Sequence, residues 1–220
     1  MKDKFIRKWM RAARFIANDQ NPCLSRSIGT VIVDPELNCI TSTGYNGPES
    51  DIPHADSYKF LREYVYPQLN SGDKQHIFNN LKNNNEFNTG IVTSDVLFAS
   101  HFEGCKTCPR KLIGAISGAR LELCGCAHGE RNAITNAAKC GRSTNNNWIF
   151  CWCGIPCLDC ASAIIQAGIT KVYCLKDEKR QAEPNDYKFD NSRWKFKTKG
   201  VEVVELTEEW VNEEEGKTKT

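Results

Sequence analysis

Apolar side chains recur at helical spacing near the start of the chain and cluster in strand-like runs further along it. An amphipathic helix with one buried face is predicted from apolar residues that recur among Lys and Arg: Phe5, Trp9, Ala12, Ala13 and Ile16. Strands are predicted where apolar and β-favouring residues cluster between turn signals, over residues 28–33, 39–43, 148–152, 171–174 and 201–204. The first two runs, joined by a turn at 34–38, predict an antiparallel hairpin.

Two helical stretches in the second half of the chain complete the predicted layers. The first covers residues 130–138, and the second runs from Cys157 to about Ala167 and is closed by Gly168. Since the second helix lies between two predicted strands, the pattern indicates a strand-helix-strand unit. We therefore predict an α/β fold of three layers, with a mixed sheet of about five strands and helices on both faces.

A long interruption, about residues 56–122, separates the hairpin from these later elements. It begins with a predicted helix over 58–65 that ends before Pro67, and it passes through a polar, exposed stretch at 79–85. We predict one domain, residues 1–220, that carries this insertion within it.

The end of the chain is predicted from its charge pattern. An irregular stretch precedes the last strand, and an acidic helix follows that strand from about Glu208. We expect this helix to fray into a solvated tail at 216–220.

Composition and charge narrow the class of partner. The chain carries 29 basic and 27 acidic residues, a formal net charge of +2, so it lacks the strong basic footprint of a nucleic-acid binder and favours a small substrate. The first residues are charged, and no run approaches the roughly 18 apolar residues of a membrane span. With 12 cysteines and no secretory leader, we expect a soluble protein of a reducing compartment, where clustered cysteines often bind metal.

One histidine, two cysteines and one acid carry the candidate chemistry. His128 and Glu130 occur in the segment His-Gly-Glu, and Cys157 and Cys160 occur in Pro-Cys-Leu-Asp-Cys. The imidazole and two thiolates can fill three corners of a tetrahedral Zn²⁺ site and leave the fourth to water, as catalytic zinc sites do. Each group opens a predicted helix, whose exposed N–H groups and positive dipole end favour thiolates. Glu130 is then free to move protons.

Each of these two motifs is weak by itself. A lone Cys-x-x-Cys is as often structural or redox-active, and a lone His-x-Glu carries little information. Their occurrence together, in this order and each at the start of a helix, favours a catalytic zinc. The combination matches the signature of zinc-dependent nucleobase deaminases.

The chain resembles the deoxycytidylate (dCMP) deaminases of the cytidine deaminase superfamily, in particular their phage-type branch. Four stretches carry the resemblance: SRSIGTVIV at 25–33, GYNGP at 44–48, HGERNAI at 128–134, and PCLDCA from 156 onward through Gly168. The Gly-Tyr-Asn-Gly element resembles the branch that acts on nucleoside monophosphates, not the free-cytidine or riboflavin-pathway members. The resemblance implies the three-layer cytidine deaminase-like fold and hydrolytic deamination of dCMP to dUMP and ammonia, which supplies the thymidylate pathway.

The resemblance also implies roles at the metal. A zinc ion held by His128, Cys157 and Cys160 would activate the water that attacks C4 of cytosine. Glu130 would protonate N3 and later help ammonia to leave.

Two further residues are candidates for substrate binding. The resemblance implies that Asn46 holds the sugar or the base, and the alternative is a turn residue that tolerates a left-handed backbone. Arg26 is a candidate for the phosphate neighbourhood because a guanidinium forks onto phosphate oxygens. The alternative for Arg26 is a solvated surface charge.

Two positions depart from the family pattern. Gly129 stands where the family usually has Ala, which costs the helix about 0.5–1 kcal/mol but removes no reactive group, so activity should survive. Cys153, within Cys-Trp-Cys-Gly-Ile at 151–155, stands near a position where the family tends to have Thr. This second departure bears on the shape of the base pocket.

Further cysteines predict a second metal site. They form a Cys-x2-Cys pair and a Cys-x-Cys pair that end just before His128: Cys105, Cys108, Cys124 and Cys126. They resemble places where some relatives carry a structural zinc, and Cys23 corresponds to a residue that sometimes contributes there. Ala55 stands where such relatives often have a cysteine. Since four sulfurs close a tetrahedron, we expect a second, structural zinc held by four of these five cysteines.

Other ligands and other uses of cysteine stay open. His54 and His101 could substitute as ligands, whereas His76, in a polar stretch, is expected to be solvated. Cysteines also pack as small apolar side chains. That use is expected for the cysteines away from any partner motif: Cys39, Cys140, Cys151 and Cys174.

Two other functions compete with dCMP deamination. A deaminase acting on bases in RNA or DNA would need a basic groove and stacking aromatics. Trp148, Trp152 and Trp194 could stack, but the first two fall in a predicted buried strand, which favours packing. A zinc-braced nucleotide-binding regulator without turnover is disfavoured because it would not need Glu130 beside the metal.

The resemblance implies partners as well. Relatives suggest dCTP and dTTP as possible effectors and a homo-oligomer, a hexamer by analogy. No membrane or nucleic-acid partner is expected. The expected location is the cytoplasm, or the host cytoplasm if the chain is phage-encoded.

Overall fold

A computed structural model of the chain describes residues 2–53, 58–83, 108–116, 118–177 and 188–213. In chain order its elements are α1 (Asp3–Asp19), β1 (Gly29–Asp34), β2 (Cys39–Tyr45), α2 (Tyr58–Phe60), a π-helical turn (Leu61–Val65), a 3₁₀ turn (Tyr66–Gln68), α3 (Ser71–Asn83), α4 (Pro109–Leu112), a 3₁₀ turn (Leu121–Leu123), α5 (Gly129–Lys139), β3 (Trp148–Cys151), α6 (Leu158–Gln166), β4 (Lys171–Leu175), α7 (Phe189–Lys199), β5 (Glu202–Leu206) and α8 (Glu208–Asn212).

The chain divides into two compact units. Met1–Asn21, Ser27–Asn46 and Ala127–Thr220 form the first unit, and Pro22–Arg26 with Gly47–Cys126 forms the second. The second unit is larger than the insertion predicted at 56–122, because it begins at Gly47, ends at Cys126 and also includes Pro22–Arg26. The single-domain organisation stays a prediction.

The first unit is built on a five-stranded sheet in the order β2-β1-β3-β4-β5. Strand β1 is antiparallel to both β2 and β3, whereas β3, β4 and β5 run parallel. The predicted hairpin and the predicted mixed sheet are therefore confirmed. Because β3 and β4 are parallel neighbours, α6 forms the crossover of the strand-helix-strand unit that the sequence predicts.

Helices cover both faces of this sheet, as predicted. On one face, apolar residues of α1 and α8 pack against inward side chains of the strands, among them Trp9, Met10, Val31, Phe150 and Val211. On the other face, α5, α6 and α7 pack against a cluster that includes Ala133, Ile149, Ile164, Val172 and Phe196. Since successive strand residues point to opposite faces, Ile149 and Phe150 serve different layers.

Helix α1 reaches β1 at a glycine. A Cβ atom built on Gly29 would lie 2.2 Å from the carbonyl oxygen of Ala13 and 2.4 Å from the backbone nitrogen of Ala17. Ala13 and Ala17 are themselves buried on the apolar face of the helix. Small residues on both partners therefore let the helix and strand backbones approach closely.

One helix of the first unit was not predicted. The stretch expected to be irregular contains α7. The predicted acidic helix near Glu208, in contrast, is present as α8. Most residues of α7 are polar, and only Phe189, Ser192 and Phe196 are buried, so the apolar periodicity is too sparse to identify a helix. The predicted tail at 216–220 lies outside the described residues.

The second unit has its own small core. It contains Phe60, Leu61, Val65, Leu69, Ile77 and Leu123. The predicted helix over 58–65 is present as α2 and the π-helical turn, which end at Val65, before Pro67, as predicted. The backbone continues into the 3₁₀ turn, where Pro67 occupies a first-turn position that needs no N–H donor.

The polar stretch predicted to be exposed at 79–85 is described only in part, and Asn79 is exposed, as predicted. Residues 79–83 form the end of α3, while 84 and 85 lie outside the described residues. Polar composition predicts solvent exposure, but it does not predict the backbone conformation, because helices tolerate polar side chains on their solvent face.

None of the helices in the described ranges is both long enough and apolar enough to cross a bilayer.

Candidate active site

Two helix starts of the first unit carry the candidate metal ligands. His128 is the residue before α5 and Cys157 is the residue before α6, and both have extended backbone angles. Cys160 follows in the first turn of α6 and is completely buried. The predicted position of the ligands, at the beginnings of two helices, is what the structure shows.

The three ligand atoms lie at the distances that a tetrahedral zinc requires. Nδ1 of His128 is 3.4 Å from the sulfur of Cys157 and 3.4 Å from the sulfur of Cys160, and all three atoms lie within 4.8 Å of one another. Bonds of about 2.1 Å to nitrogen and about 2.3 Å to sulfur at a tetrahedral angle separate the two ligand atoms by about 3.5 Å. The residues therefore fit a zinc ion, and Nδ1 is the histidine atom that would bind it.

Electrostatics at the two cysteines favour a cation. The hydrogen bond from the Cys160 thiol, aided by His128, lowers the pKa of Cys157 to about 4. The same hydrogen bond, together with burial, raises the pKa of Cys160. One proton is thus shared between two sulfurs, and a divalent cation would replace it and hold both as thiolates.

Glu130 lies beside these ligands without belonging to their group. Its side chain is buried, with 3% of the residue exposed, and burial raises the pKa of its carboxyl group. Oε1 accepts a hydrogen bond from the Cys153 thiol at 3.9 Å. Oε2 has no hydrogen-bond partner among the described residues. A buried carboxylate with one unused oxygen is suited to proton transfer.

Strand β2 positions the helix that carries Glu130. Oδ1 of Asn46 accepts a 2.8 Å hydrogen bond from the backbone N–H of Gly129, at the start of α5. Asn132 donates to the carbonyl of Tyr45 at 2.8 Å, and the Ser42 hydroxyl donates to the carbonyl of Ala133 at 2.8 Å. Sequence reasoning did not identify this role of Asn46, nor Asn132 and Ser42, because the partners lie more than 80 residues apart in the sequence.

The two departures from the family pattern both lie at this site. A Cβ atom on Gly129 would lie 3.1 Å from Oγ1 of Thr30 and 3.3 Å from both Cγ2 of Ile28 and Cα of Tyr45, so these neighbours leave little room for an added methyl group. Cys153 contacts Glu130, as described above. Arg26 belongs to the second unit and is half-buried, and its assignment to the phosphate stays a prediction.

A second sulfur cluster forms within the second unit. The Cys126 thiol is hydrogen-bonded to Cys124 and to Cys23, and these bonds together with burial raise its pKa. The bond from Cys126 lowers the pKa of Cys124 to about 6. Burial raises the pKa of Cys108, and the charges of Cys124 and Cys23 add to this effect. Cys23, Cys124 and Cys126 thus interact, and the charges of Cys23 and Cys124 act on Cys108, but in the described part of the chain the ligand atoms close enough to hold one metal ion are those of His128, Cys157 and Cys160. Cys105, His54, Ala55 and His101 lie outside the described residues.

The other cysteines and the tryptophans divide by exposure. Cys151 and Cys174 are buried in the sheet, as expected, but Cys39 and Cys140 are exposed, which corrects the expectation that they pack in the core. Cys39 begins an edge strand and Cys140 follows the last turn of α5, so neither faces a packed layer. His76 is exposed, as expected.

The tryptophans show no common stacking surface in the described residues. Trp148 and Trp152 are half-buried and pack against the cluster under α1, which confirms packing as their role. Trp194 is 65% exposed and lies on α7.

Comparison with known proteins identifies the family. Residues 3–176 match the family model described as the cytidine and deoxycytidylate deaminase zinc-binding region. The chain belongs to this deaminase family. It is therefore a deaminase, a hydrolase that acts on a ring-attached amino group, and the zinc-binding character of the region agrees with the ligand geometry. No curated protein matches the chain.

A solved structure of a phage deaminase has a similar fold. The dCMP deaminase from the cyanophage S-TIM5 in complex with dCMP and dUMP is 19% identical with a TM-score of 0.51, and the match covers 94% of this chain and 99% of that one. Its apo form gives 20% identity and a TM-score of 0.49, with 94% and 100% coverage. A diaminohydroxyphosphoribosylaminopyrimidine deaminase/5-amino-6-(5-phosphoribosylamino)uracil reductase from Thermotoga maritima is 16% identical with a TM-score of 0.47, and the match covers 92% of this chain and 36% of that one. The predicted cytidine deaminase-like α/β fold is confirmed.

Proposed function

We propose that this deaminase hydrolyses dCMP to dUMP and ammonia with one catalytic zinc ion. The observation that carries the proposal is the placement of His128, Cys157 and Cys160 at tetrahedral distances beside the buried carboxylate of Glu130. Family membership and the likeness to a phage enzyme that binds dCMP and dUMP support the choice of substrate. The product would feed thymidylate synthesis.

The protein's own residues account for the proton movements of this reaction. A bound zinc ion would lower the pKa of a water molecule at its open fourth position to about 7. Glu130 accepts a proton from the water that attacks C4 and delivers it to N3. Glu130 then takes the remaining hydroxyl proton and delivers it to the departing amino group, which leaves as ammonia while the C4 carbonyl forms. One water is consumed and all its atoms are accounted for.

Burial matches Glu130 to this task. Burial raises the pKa of this carboxyl group above its ordinary value, which is the direction that favours a group that takes up and releases protons. The N–H of Gly129 is bound by Asn46, so the backbone that carries Glu130 is fixed. Asn46 can also hold the sugar or base through its amide nitrogen, and Arg26 is the proposed phosphate contact.

The competing functions have less support. A nucleic-acid deaminase would need stacking aromatics and a basic groove, but Trp148 and Trp152 pack against the sheet and the formal net charge is only +2. A binding protein without turnover would gain nothing from a buried carboxylate beside the metal. Regulation by dCTP and dTTP, a homo-oligomer and a cytoplasmic location are carried as proposals from the resemblance alone.

We also propose a second, structural zinc in the second unit. Cys23, Cys108, Cys124 and Cys126 supply four sulfurs, which is the number that closes a tetrahedral site. The low pKa of Cys124 supports a thiolate there. Cys105 is then not required as a ligand.

Metal analysis combined with a substrate panel tests the function. Purified protein is assayed with cytidine, CMP, dCMP, dCTP and a cytosine-containing oligonucleotide, and we expect dCMP to be deaminated fastest. Glu130→Gln should keep its zinc and lose about 10²–10⁴-fold in kcat, because an amide cannot accept the proton. Glu202→Gln, which removes a carboxylate from the edge strand β5, serves as the control. Equal turnover of oligonucleotide and dCMP, or near-native rates in Glu130→Gln, would reject the proposal.

A further inference from the structure

The loop after β3 places a thiol against the buried acid. Cys153 follows the last residue of β3 by two positions, and its sulfur lies 3.9 Å from Oε1 of Glu130 with the thiol as donor. This is a contact between the sheet and the helix that carries Glu130.

Backbone bonds hold this loop from both sides. The N–H of Trp152 donates to the carbonyl of Gly29 at 2.8 Å, which ties the loop to β1. The N–H of Leu175 donates to the carbonyl of Cys153 at 2.7 Å, which ties it to the end of β4. The backbone that carries the Cys153 thiol is therefore held in place by hydrogen bonds to β1 and β4.

The other contacts of the Glu130 carboxyl group show why the hydrogen bond from Cys153 matters. Oε2 has no hydrogen-bond partner among the described residues. The backbone N–H of Glu130 and the thiol of Cys160 also lie within hydrogen-bond range of the carboxyl group, but Cys160, as a zinc ligand, would carry no proton to donate. Among these contacts, Cys153 is the thiol that can still donate to Glu130 when the metal is bound.

We propose that Cys153 is a positioning residue for Glu130: its thiol holds Oε1 and leaves Oε2 to exchange protons with water and substrate. This inference rests on the proposed proton-transfer role of Glu130. It assigns to Cys153 a function in the chemical step and not in substrate binding. A thiol is a weak donor, so the effect of its loss is modest.

Kinetics of paired variants test this role. Cys153→Ala should lower kcat by about fivefold with little change in KM, because one hydrogen bond to the acid is lost while the pocket keeps its substrate contacts. Cys153→Ser keeps a donor and should restore most of kcat. Cys174→Ala, which removes another buried sulfur from the neighbouring strand β4, is the matched control and should keep kcat.

Each outcome bears on the proposal. Zinc content is measured in every variant so that loss of metal is not mistaken for loss of positioning. An unchanged kcat in Cys153→Ala overturns the inference, and so does a loss that serine fails to restore, since bulk would then be the cause. The kcat of each variant is divided by that of the wild type, with the substrate that the wild type deaminates fastest. A wrong assignment of dCMP as substrate can therefore be told apart from a wrong role for Cys153.

An infrared measurement provides a test without turnover. The S–H stretch of Cys153, identified by subtracting the Cys153→Ala spectrum, lies at lower frequency while the thiol donates a hydrogen bond. Glu130→Ala removes the acceptor and should move this band to higher frequency in the zinc-loaded protein. A band that does not move shows that the thiol does not donate to Glu130, which overturns the proposal.

Discussion

Two glycines at the site differ in what an added methyl group would meet. A Cβ atom on Gly44, in β2, would lie 2.3 Å from the backbone nitrogen of Ala133 and 2.3 Å from the carbonyl oxygen of Gly129. The nearest neighbour of a Cβ atom on Gly129 is the side chain of Thr30, at 3.1 Å. Backbone atoms of a helix cannot move independently, whereas a side chain can adjust by a few tenths of an ångström.

We therefore expect unequal effects from the same substitution. Gly44→Ala should lower the free energy of unfolding by about 3 kcal/mol or more and reduce the yield of zinc-loaded protein, because α5 is forced away from β2. Gly129→Ala should change it by less than about 1 kcal/mol, since improved helix propensity offsets the crowding at Thr30. Chemical unfolding of both variants provides the measurement. Equal stability of Gly44→Ala and wild type would contradict the close approach.

The candidate metal ligands and the candidate acid could be selected from the sequence, but the contacts that support them could not. His128, Glu130, Cys157 and Cys160 belong to short local motifs, so spacing alone was sufficient. The contact from Cys153 to Glu130 joins a loop to a helix 23 residues away, and no local pattern encodes it. Exposure of a cysteine such as Cys39 likewise depends on which strand is at the edge of the sheet.

Helix α5 is held against the hairpin by polar contacts as well as by packing. The carbonyl, amide and hydroxyl groups of β2 and its following residue meet the first two turns of the helix at Gly129, Asn132 and Ala133. Among these, Asn46 is 5% exposed and satisfies one of the free N–H groups at the helix start. This strand thus determines where the start of the zinc-binding helix lies.

Substitutions of Asn46 can separate support of the helix from contact with the substrate. Asn46→Ala should lower the free energy of unfolding by about 1–3 kcal/mol, because the buried Gly129 N–H loses its acceptor. Asn46→Asp retains the oxygen and suits the positive end of the helix, so it should preserve stability and zinc content. If Asn46 also binds the sugar or base, the aspartate variant should raise KM for dCMP. Thermal unfolding, metal content and KM provide the three measurements, and an unaffected stability in the alanine variant would refute the helix-start role.

Elements with a strong apolar period were predicted, and those without one were not. The five strands agree with prediction to within two residues at each end. Helix α1 contains the predicted amphipathic run from Phe5 to Ile16 and continues three residues beyond it, to Asp19. Helix α7 has three buried residues among eleven. The helical end of α3 is polar. Such helices depend on tertiary contacts, which a local pattern does not contain.

Over the whole molecule, chemistry is divided between two compact units. The catalytic ligands all belong to the first unit, and the second sulfur cluster belongs entirely to the second. Cys23 joins that cluster from a short segment, Pro22–Arg26, that is separated in sequence from the remainder of its unit. The second unit has a core of few apolar residues, so a metal that links distant parts of its chain would contribute strongly to its order.

Removal of the second zinc should loosen the second unit selectively. Cys126→Ser removes the thiol that contacts both Cys124 and Cys23, so the variant should contain one zinc fewer per chain than wild type. Limited proteolysis should then cleave within residues 47–126 faster, because closure of this segment no longer offsets its loop entropy. Cys39→Ser, which replaces an exposed cysteine, should retain the wild-type metal content and cleavage pattern. Chelation of the wild type should reproduce the cleavage of Cys126→Ser, and an unchanged pattern in both cases would mean that these sulfurs pack together without a metal.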